Sequence, residues 1–275
     1  MTIHITKADG SVEPFKIEKL RRSLRRSGAD KEAVASVVDQ VSAELYEGMH
    51  TQEIYRRAFA LLRTRKKSAA ARYSLRRALF GLGPTGFPFE EFLSRLFNED
   101  GYTTEVGTII KGACAAHEID VAAYREDHSF VAEAKFHSRP GLKTDLQVAM
   151  YSYARLLDLQ DKKICNEDIC GIKEFWLVTN TKFTSTAHNY GLCVGLPMLS
   201  WNCPKNNNLH DRIQRAKIYP VTVLSSLSSA QAMILLENQV ILCKEILADP
   251  TLLQILHLNK GETEKILEEA GELIN

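Results

Sequence analysis

The sequence predicts a two-domain chain of mixed α+β and α/β class. A mainly helical front carries a small β-hairpin, a mixed β-sheet core flanked by helices follows, and the chain ends in a helical C-terminal tail. Three observations predict this. The segment Gly81-Leu82-Gly83-Pro84-Thr85-Gly86-Phe87-Pro88 gathers three glycines and two prolines in eight residues, which stops both helix and strand. Ahead of it, apolar residues recur at helical spacing. Behind it, short apolar runs alternate with helical stretches, the pattern of a sheet covered by helices. The boundaries fall at 1–82, 87–205 and 220–275.

In the front part, Ile3 and Ile5 alternate with polar neighbours, Asp9-Gly10 makes a turn, and Glu13-Pro14-Phe15 leads onward, which reads as a hairpin. Ile17, Leu20 and Leu24 form one helical stripe, and Val34, Val37, Val38, Val41 and Leu45 a second. Ile54, Ala58, Leu61 and Leu62 begin a third helix, with Thr51 as its expected N-cap. Residues 68–80 make a fourth. In the second part, 89–98 is an amphipathic helix stopped by Gly101, and strands are expected at 103–110, 118–124 and 130–136. A helix over 144–159, a buried strand at 175–179, a helix over 186–194 and a strand at 197–201 complete it. From Val221 onward the pattern is helical throughout.

A chain of 275 residues, 45% hydrophobic and 25% charged, has the composition of a globular protein with a real core. No apolar run approaches the roughly 20 residues needed to span a bilayer, and MTIHITKADGS has none of the marks of a secretory signal. Cys114, Cys165, Cys170, Cys193, Cys203 and Cys243 form no CxxC pair, which argues against a zinc ribbon or a disulfide framework and for a cytoplasmic location. The net charge of +1 conceals an asymmetry. Residues 1–80 hold 17 Lys/Arg against 9 Asp/Glu, a balance of +8, and the remainder balances at −7. A basic front suits anionic ligands, nucleotides or nucleic-acid phosphates alike.

The front part contains Lys7-Ala8-Asp9-Gly10, Glu13-Pro14-Phe15-Lys16-Ile17-Glu18-Lys19-Leu20, Gly48-Met49-His50-Thr51-Gln52-Glu53-Ile54 and Ala70-Ala71-Arg72-Tyr73-Ser74-Leu75, in that order. Residues 3–80 thereby resemble the ATP-cone, a regulatory nucleotide-binding module. The resemblance implies that Lys7, Glu13, Phe15, Lys16, Ile17, Lys19 and Thr51 contact ATP or dATP. It also implies a last basic contact from the fourth helix, for which Arg72, Arg76 and Arg77 are candidates. Lysines near a helix N-terminus can neutralise a triphosphate while terminal N–H groups donate to it. No GxxxxGK[ST] is present, so the nucleotide is expected as an effector and not as a fuel.

The block His117-Glu118-Ile119-Asp120-Val121 … Val131-Ala132-Glu133-Ala134-Lys135 carries the chemistry of the second part. Glu133 and Lys135, two apart on one strand, share a face, and antiparallel pairing would bring Asp120 beside Glu133. Two converging carboxylates can hold Mg²⁺ together with waters and phosphate oxygens. A lysine beside the ion can orient water or stabilise developing negative charge. The plainer alternative is an ion pair of Glu133 with Lys135 on a solvated face, and for His117 a structural role.

These residues resemble the PD-(D/E)xK nuclease superfamily and, within it, the Mrr-like restriction endonucleases, over residues 87–203. The resemblance implies a restriction-endonuclease-like sheet, an acidic residue on the preceding helix (Glu90, or its neighbour Glu91), and a supporting glutamine, Gln147. Leu177-Val178-Thr179-Asn180-Thr181-Lys182-Phe183 resembles that branch's next strand and its polar exit. Ile119 stands where that branch usually has glycine. The tail, with 3 Lys/Arg against 8 Asp/Glu in 221–275, is too acidic for a phosphate backbone, so packing or protein contact is expected of it.

Together the two resemblances imply an endonuclease acting on DNA with Mg²⁺ held by Asp120 and Glu133, assisted by Lys135 and regulated by ATP or dATP. No membrane partner is expected, and homo-oligomerisation is left open. The rival reading is a non-catalytic nucleotide-sensing regulator that binds nucleic acid or protein through a nuclease-like fold.

Overall fold

The computed structural model describes residues 2–160, 162–164 and 171–274; Cys165 and Cys170 lie outside them. In the front unit β1 (His4–Thr6) pairs antiparallel with β2 (Val12–Pro14), Ile5 opposite Glu13. The turn between them closes with Gly10 at φ +80, and Asp9 Oδ1 accepts from the Ser11 amide at 3.1 Å. A two-residue strand, β3 (Met49–His50), lies parallel to β1 on its other side; it is too short to leave a period in the sequence. Four helices cover this sheet: α1 (Ile17–Arg26), α2 (Lys31–Ala43), α3 (Thr51–Arg65) and α4 (Lys67–Phe80). The valine stripe of α2 is buried with Leu20, Leu24, Met49, Ile54 and Leu62. α3 corrects one detail: His50 holds the cap position, in extended conformation and without a side-chain cap, and Thr51 is the first helical residue.

The second unit is built on a five-stranded sheet ordered β4-β5-β6-β7-β8 (Thr103–Lys111, Ala116–Arg125, His128–Lys135, Glu174–Thr179, Met198–Leu199). The first three strands are antiparallel and the last two run parallel to β6. α5 (Phe87–Glu99) covers one face, burying Phe89, Phe92, Leu93, Leu96 and Phe97. α6 (Leu146–Leu159) and α7 (Ser185–Val194) cover the other. Asp145 caps α6, its Oδ1 accepting from the Val148 amide at 3.2 Å. A further helix, α8 (Leu209–Ala216), follows where no element was expected; at eight residues it carries too short an apolar stripe to announce itself.

The tail folds as α9 (Ser229–Glu237), α10 (Cys243–Ala248) and α11 (Lys260–Ile274), with one 3-10 turn (Val221–Val223) before α9 and another (Pro250–Leu256) between α10 and α11. It does not stand alone. Leu75, Ala78 and Leu79 of α4, the inner face of α5, Val121, Ala132 and Val178 of the sheet, and Val221, Ile246, Ile266, Ala270 and Leu273 of the tail form one buried cluster. The Thr222 hydroxyl donates to the Ala78 carbonyl at 2.8 Å, and Arg72 Nη2 to the Leu273 carbonyl at 3.0 Å. α4 is therefore the shared wall: Ala69 and Ala70 belong to the front core, and Ala71, Leu75 and Ala78 to the second. No helix among the described residues is long and apolar enough to cross a membrane.

Candidate functional site

The centre of the second unit forms where the β4–β5–β6 meander loses its regular pleat. Val121 and Ala123 face the α5 core, yet Ile119, of the same parity as both, faces the α6 core. The reversal falls at Asp120, across from Gly107, whose φ of +68 only glycine adopts without strain. Asp120 is thereby turned toward β6, and its Oδ2 accepts from the Ala134 amide at 2.7 Å. Ile119, fully buried, fills the α6 core at the position where glycine was the expectation.

On β6, Val131 belongs to the α6 core while Ala132 and Ala134 belong to the α5 core. Alternation then puts Glu133 and Lys135 together on the α6 face. Lys135 is exposed. Glu133 meets a residue that composition and spacing gave no reason to single out: Arg155 of α6, 6% exposed, donates through Nη1 to Glu133 Oε2 and through Nη2 to the Glu118 carbonyl. Its Cζ also sits 5.2 Å from the centre of the Phe175 ring and 5.5 Å from that of Tyr151. The Arg155 Nε is buried without a hydrogen-bond partner.

Of the two acidic residues expected on the preceding helix, Glu90 lies within electrostatic reach of Asp120, Glu118 and Glu133. Its neighbour Glu91 is taken by Arg95, which also binds Glu245 of the tail. Burial, then the nearby charges of Asp120, Glu118 and Glu133, push the Glu90 carboxyl up to about 7. Burial, then Glu133, likewise push Asp120 to about 6, against the opposing pull of the Ala134 amide and Arg155. Four carboxylates thus feel one another across the end of β5, with Arg155 the cation set among them. Among the described residues no three His, Cys, Asp or Glu side chains are arranged to hold a metal. Two carboxylates suffice for Mg²⁺, which keeps several of its waters.

The other expected residues divide. Gln147 is exposed on the first turn of α6, beside a shallow depression with Asp145, Leu146 and Met150, and is hydrogen-bonded to none of the carboxylates. His117 bonds Asp158 Oδ2 at 2.7 Å, and Asp158 also accepts from the Cys114 and Ala115 amides at 2.7 and 3.1 Å. This His117 arrangement fastens β5 to the end of α6, a structural role. Beyond Lys135, the Asn180 side chain clamps the His137 backbone with bonds of 2.9 and 3.0 Å, and His137 Nε2 lies 3.0 Å from Thr144 Oγ1.

In the front unit, Glu13 stands between two lysines: Lys7 Nζ is 2.6 Å from one carboxylate oxygen and Lys19 Nζ 2.9 Å from the other. Those two ammonium groups hold the Glu13 carboxyl down at about 2. Lys16 is exposed at the cap of α1, and Phe15 and Ile17 are half-buried against the front core. Thr51 opens α3 immediately after β3, the strand that lies beside β1. The three basic candidates on α4 separate as well. Arg72 is committed to the tail, Arg77 lies over the Tyr55 ring at 5.9 Å, and Arg76 lies over Trp201 at 6.0 Å with its buried Nε unpartnered.

Comparison with known proteins gives each part a relation. The ATP cone domain model matches residues 3–79, and the model described as AF1548-like, C-terminal, matches residues 219–274. A protein of Archaeoglobus fulgidus described as uncharacterized is 30% identical over 183 residues, 66% of this chain and 99% of the relative. The crystal structure titled as a protein of unknown function, AF1548, superposes with a TM-score of 0.56 at 28% identity, covering 69% of this chain and 98% of that one. The front unit is an ATP-cone, a nucleotide-binding regulatory module, and the chain belongs to the AF1548-like family.

Proposed function

We propose that the protein is a metal-dependent DNA endonuclease whose activity responds to ATP or dATP bound by the ATP-cone. The observation that carries this reading is the group of half-buried, mutually repelling carboxylates Glu90, Asp120 and Glu133 around the reversed pleat, with Lys135 two residues beyond Glu133. Like charges held in a partly desolvated site oppose ionisation, as they do at Glu90 and Asp120, and call for a cation. Asp120 and Glu133 would hold Mg²⁺, and the donor set suits it: hard carboxylate oxygens with open coordination left for water and phosphate. The ion would supply an acidified water and charge neutralisation at a phosphodiester.

The chain's own residues then have separate tasks. The Ala134 amide fixes one oxygen of Asp120 and leaves the other free to bind. Glu90 is the group poised to take up or release a proton near neutral pH. Lys135, exposed beside the carboxylates, offers a positive charge to the scissile phosphate. Arg155 neutralises Glu133 and would share or cede that carboxylate to a cation.

The same Arg155–Glu133 pair is the specific observation that favours a second reading, a nucleotide-sensing regulator in which a guanidinium has permanently replaced the metal. Plasmid and methylated-DNA cleavage assays, with and without Mg²⁺ and ATP, separate the two. The endonuclease reading expects Mg²⁺-dependent cutting that D120N and K135A abolish while leaving the fold intact. Absence of cutting by the wild type under every condition, or cutting unchanged in both variants, would refute it.

A further inference from the structure

Cations from both units gather where the two units meet. Loop 136–145, which leads from Lys135 to α6, lies on the β1–β2 turn of the ATP-cone. A methyl group added at Gly141 (φ +96) would come within 3.1 Å of the Ala8 carbonyl carbon and 3.2 Å of the Asp9 amide nitrogen. The same loop is tied to the chain following β7: the Thr144 amide donates to the Lys182 carbonyl, and the Thr184 amide to the Thr144 carbonyl, both at 2.9 Å. Lys143 and Lys182 therefore arrive next to Lys7 and Lys19, with Arg76 of α4 completing the group.

In this arrangement the two sets of cations act on one another. The Lys182 ammonium is held below its ordinary range by withdrawal from water and then by Arg76, Lys7, Lys143 and Lys19. Lys143 also acts on Asp9, together with Lys7. Glu13 already carries both Lys7 and Lys19, and Asp9 is a second carboxylate within reach of Lys143 and Lys7. Among the described residues Lys143, Lys182 and Arg76 make no ion pair, and the Arg76 Nε is buried with no acceptor. Five cations against the two carboxylates Glu13 and Asp9 leave an excess of positive charge that a polyanion would relieve.

We propose that Lys143 and Lys182 of the second unit, with Arg76, complete the polyphosphate site of the ATP-cone, so that one bound nucleoside triphosphate bridges the two units. The proposal rests on the nucleotide-binding reading of the front unit and extends it across the junction. Its consequence is regulatory: the triphosphate would fix the loop that joins Lys135 to α6, the helix whose Arg155 holds Glu133. A triphosphate is the ligand proposed because Lys182 lies within electrostatic reach of Lys7 and Lys19, the lysines of the cone's own Lys7–Glu13–Lys19 triad.

Calorimetry on the full chain tests this with ATP and with inorganic tripolyphosphate, at two salt concentrations. Replacing both lysines (K143A/K182A) should weaken both ligands about tenfold or more, the loss expected for hydrogen bonds to charged groups. It should also flatten the salt dependence, and K143R/K182R should restore binding. If K143A/K182A binds ATP as the wild type does while K7A/K19A does not, the nucleotide is confined to the front unit. The bridge is then overturned and the nucleotide reading stands. A wild type that binds neither ligand overturns both. Unchanged ATP affinity in K143A/K182A, with duplex DNA binding lost, overturns the proposal in favour of a nucleic-acid surface.

Discussion

Replacing Glu90 by glutamine should make the protein more stable, although Glu90 belongs to the candidate site. Its carboxyl rises from an ordinary 4.5 to about 7 because burial and the charges of Asp120, Glu118 and Glu133 oppose ionisation. A group whose folded pKa lies above its unfolded one costs nothing below the unfolded value, where it is neutral in both states. The cost grows as pH rises through the interval from 4.5 to 7 and is complete above it. Each pH unit of displacement corresponds to about 1.4 kcal/mol, which sets a ceiling near ~3 kcal/mol at pH 8. Solvent screening of a half-buried group reduces that to about 1–2 kcal/mol. Urea denaturation of wild type and E90Q at pH 4, 6 and 8, in chelator, measures it. E90Q should match the wild type at pH 4 and exceed it by that amount at pH 8. Mg²⁺ at pH 8 should recover much of the difference in the wild type, with little effect on either protein at pH 4, where protons displace the metal. A variant no more stable than wild type at pH 8, or stabilised equally at all three pH values, would show that Glu90 is not electrostatically opposed.

Arg155→Met should destabilise the protein in chelator by about 1.5–3 kcal/mol, the loss of a hydrogen bond to a charged, half-buried carboxylate, and Mg²⁺ should restore part of it; melting curves with and without the ion report both. Mg²⁺ titration of the same variant should show tighter binding than the wild type, because no guanidinium competes for Glu133, and weaker binding would exclude that competition. Leu273→Ala, which empties a fully buried position against α4, should cost about 2–5 kcal/mol. Its denaturation should remain a single transition by far-UV circular dichroism and tryptophan fluorescence alike, since the tail shares its core with α4 and α5. A separate early transition would mean that the tail folds on its own.

The elements that the sequence announced are those whose pattern is local. The valines of α2 and Phe89 and Phe92 of α5 fall at helical spacing, and each is buried where that spacing put it. The hairpin around Asp9-Gly10 and the strands around Asp120 and Glu133 are likewise short-range patterns. β3 and α8 were illegible because two residues, or eight mostly polar ones, hold no period long enough to read. Thr51 looks like a cap by type, yet the cap is set by backbone conformation, and that places it at His50. The same limit applies to Glu90 and Glu91, adjacent and chemically equal in sequence. Only the Arg95–Glu245 contacts, 150 positions apart in chain terms, remove Glu91 from consideration.

By itself the sequence determined the order of elements, the ATP-cone at the front, and the pairing of Glu133 with Lys135 on one face, because strand and helix periods are properties of neighbouring residues. Tertiary structure decided the rest. It turned Asp120 toward the Ala134 amide by reversing the pleat across from Gly107, brought Arg155 onto Glu133 from a helix 22 residues away, and sent Gln147 to the surface. It also made the tail a wall of the central core and set Lys143 and Lys182 against the lysines of the front unit. Charges and carboxylates carry no spacing signal of their own; what they neutralise or repel is fixed only when distant segments are packed together.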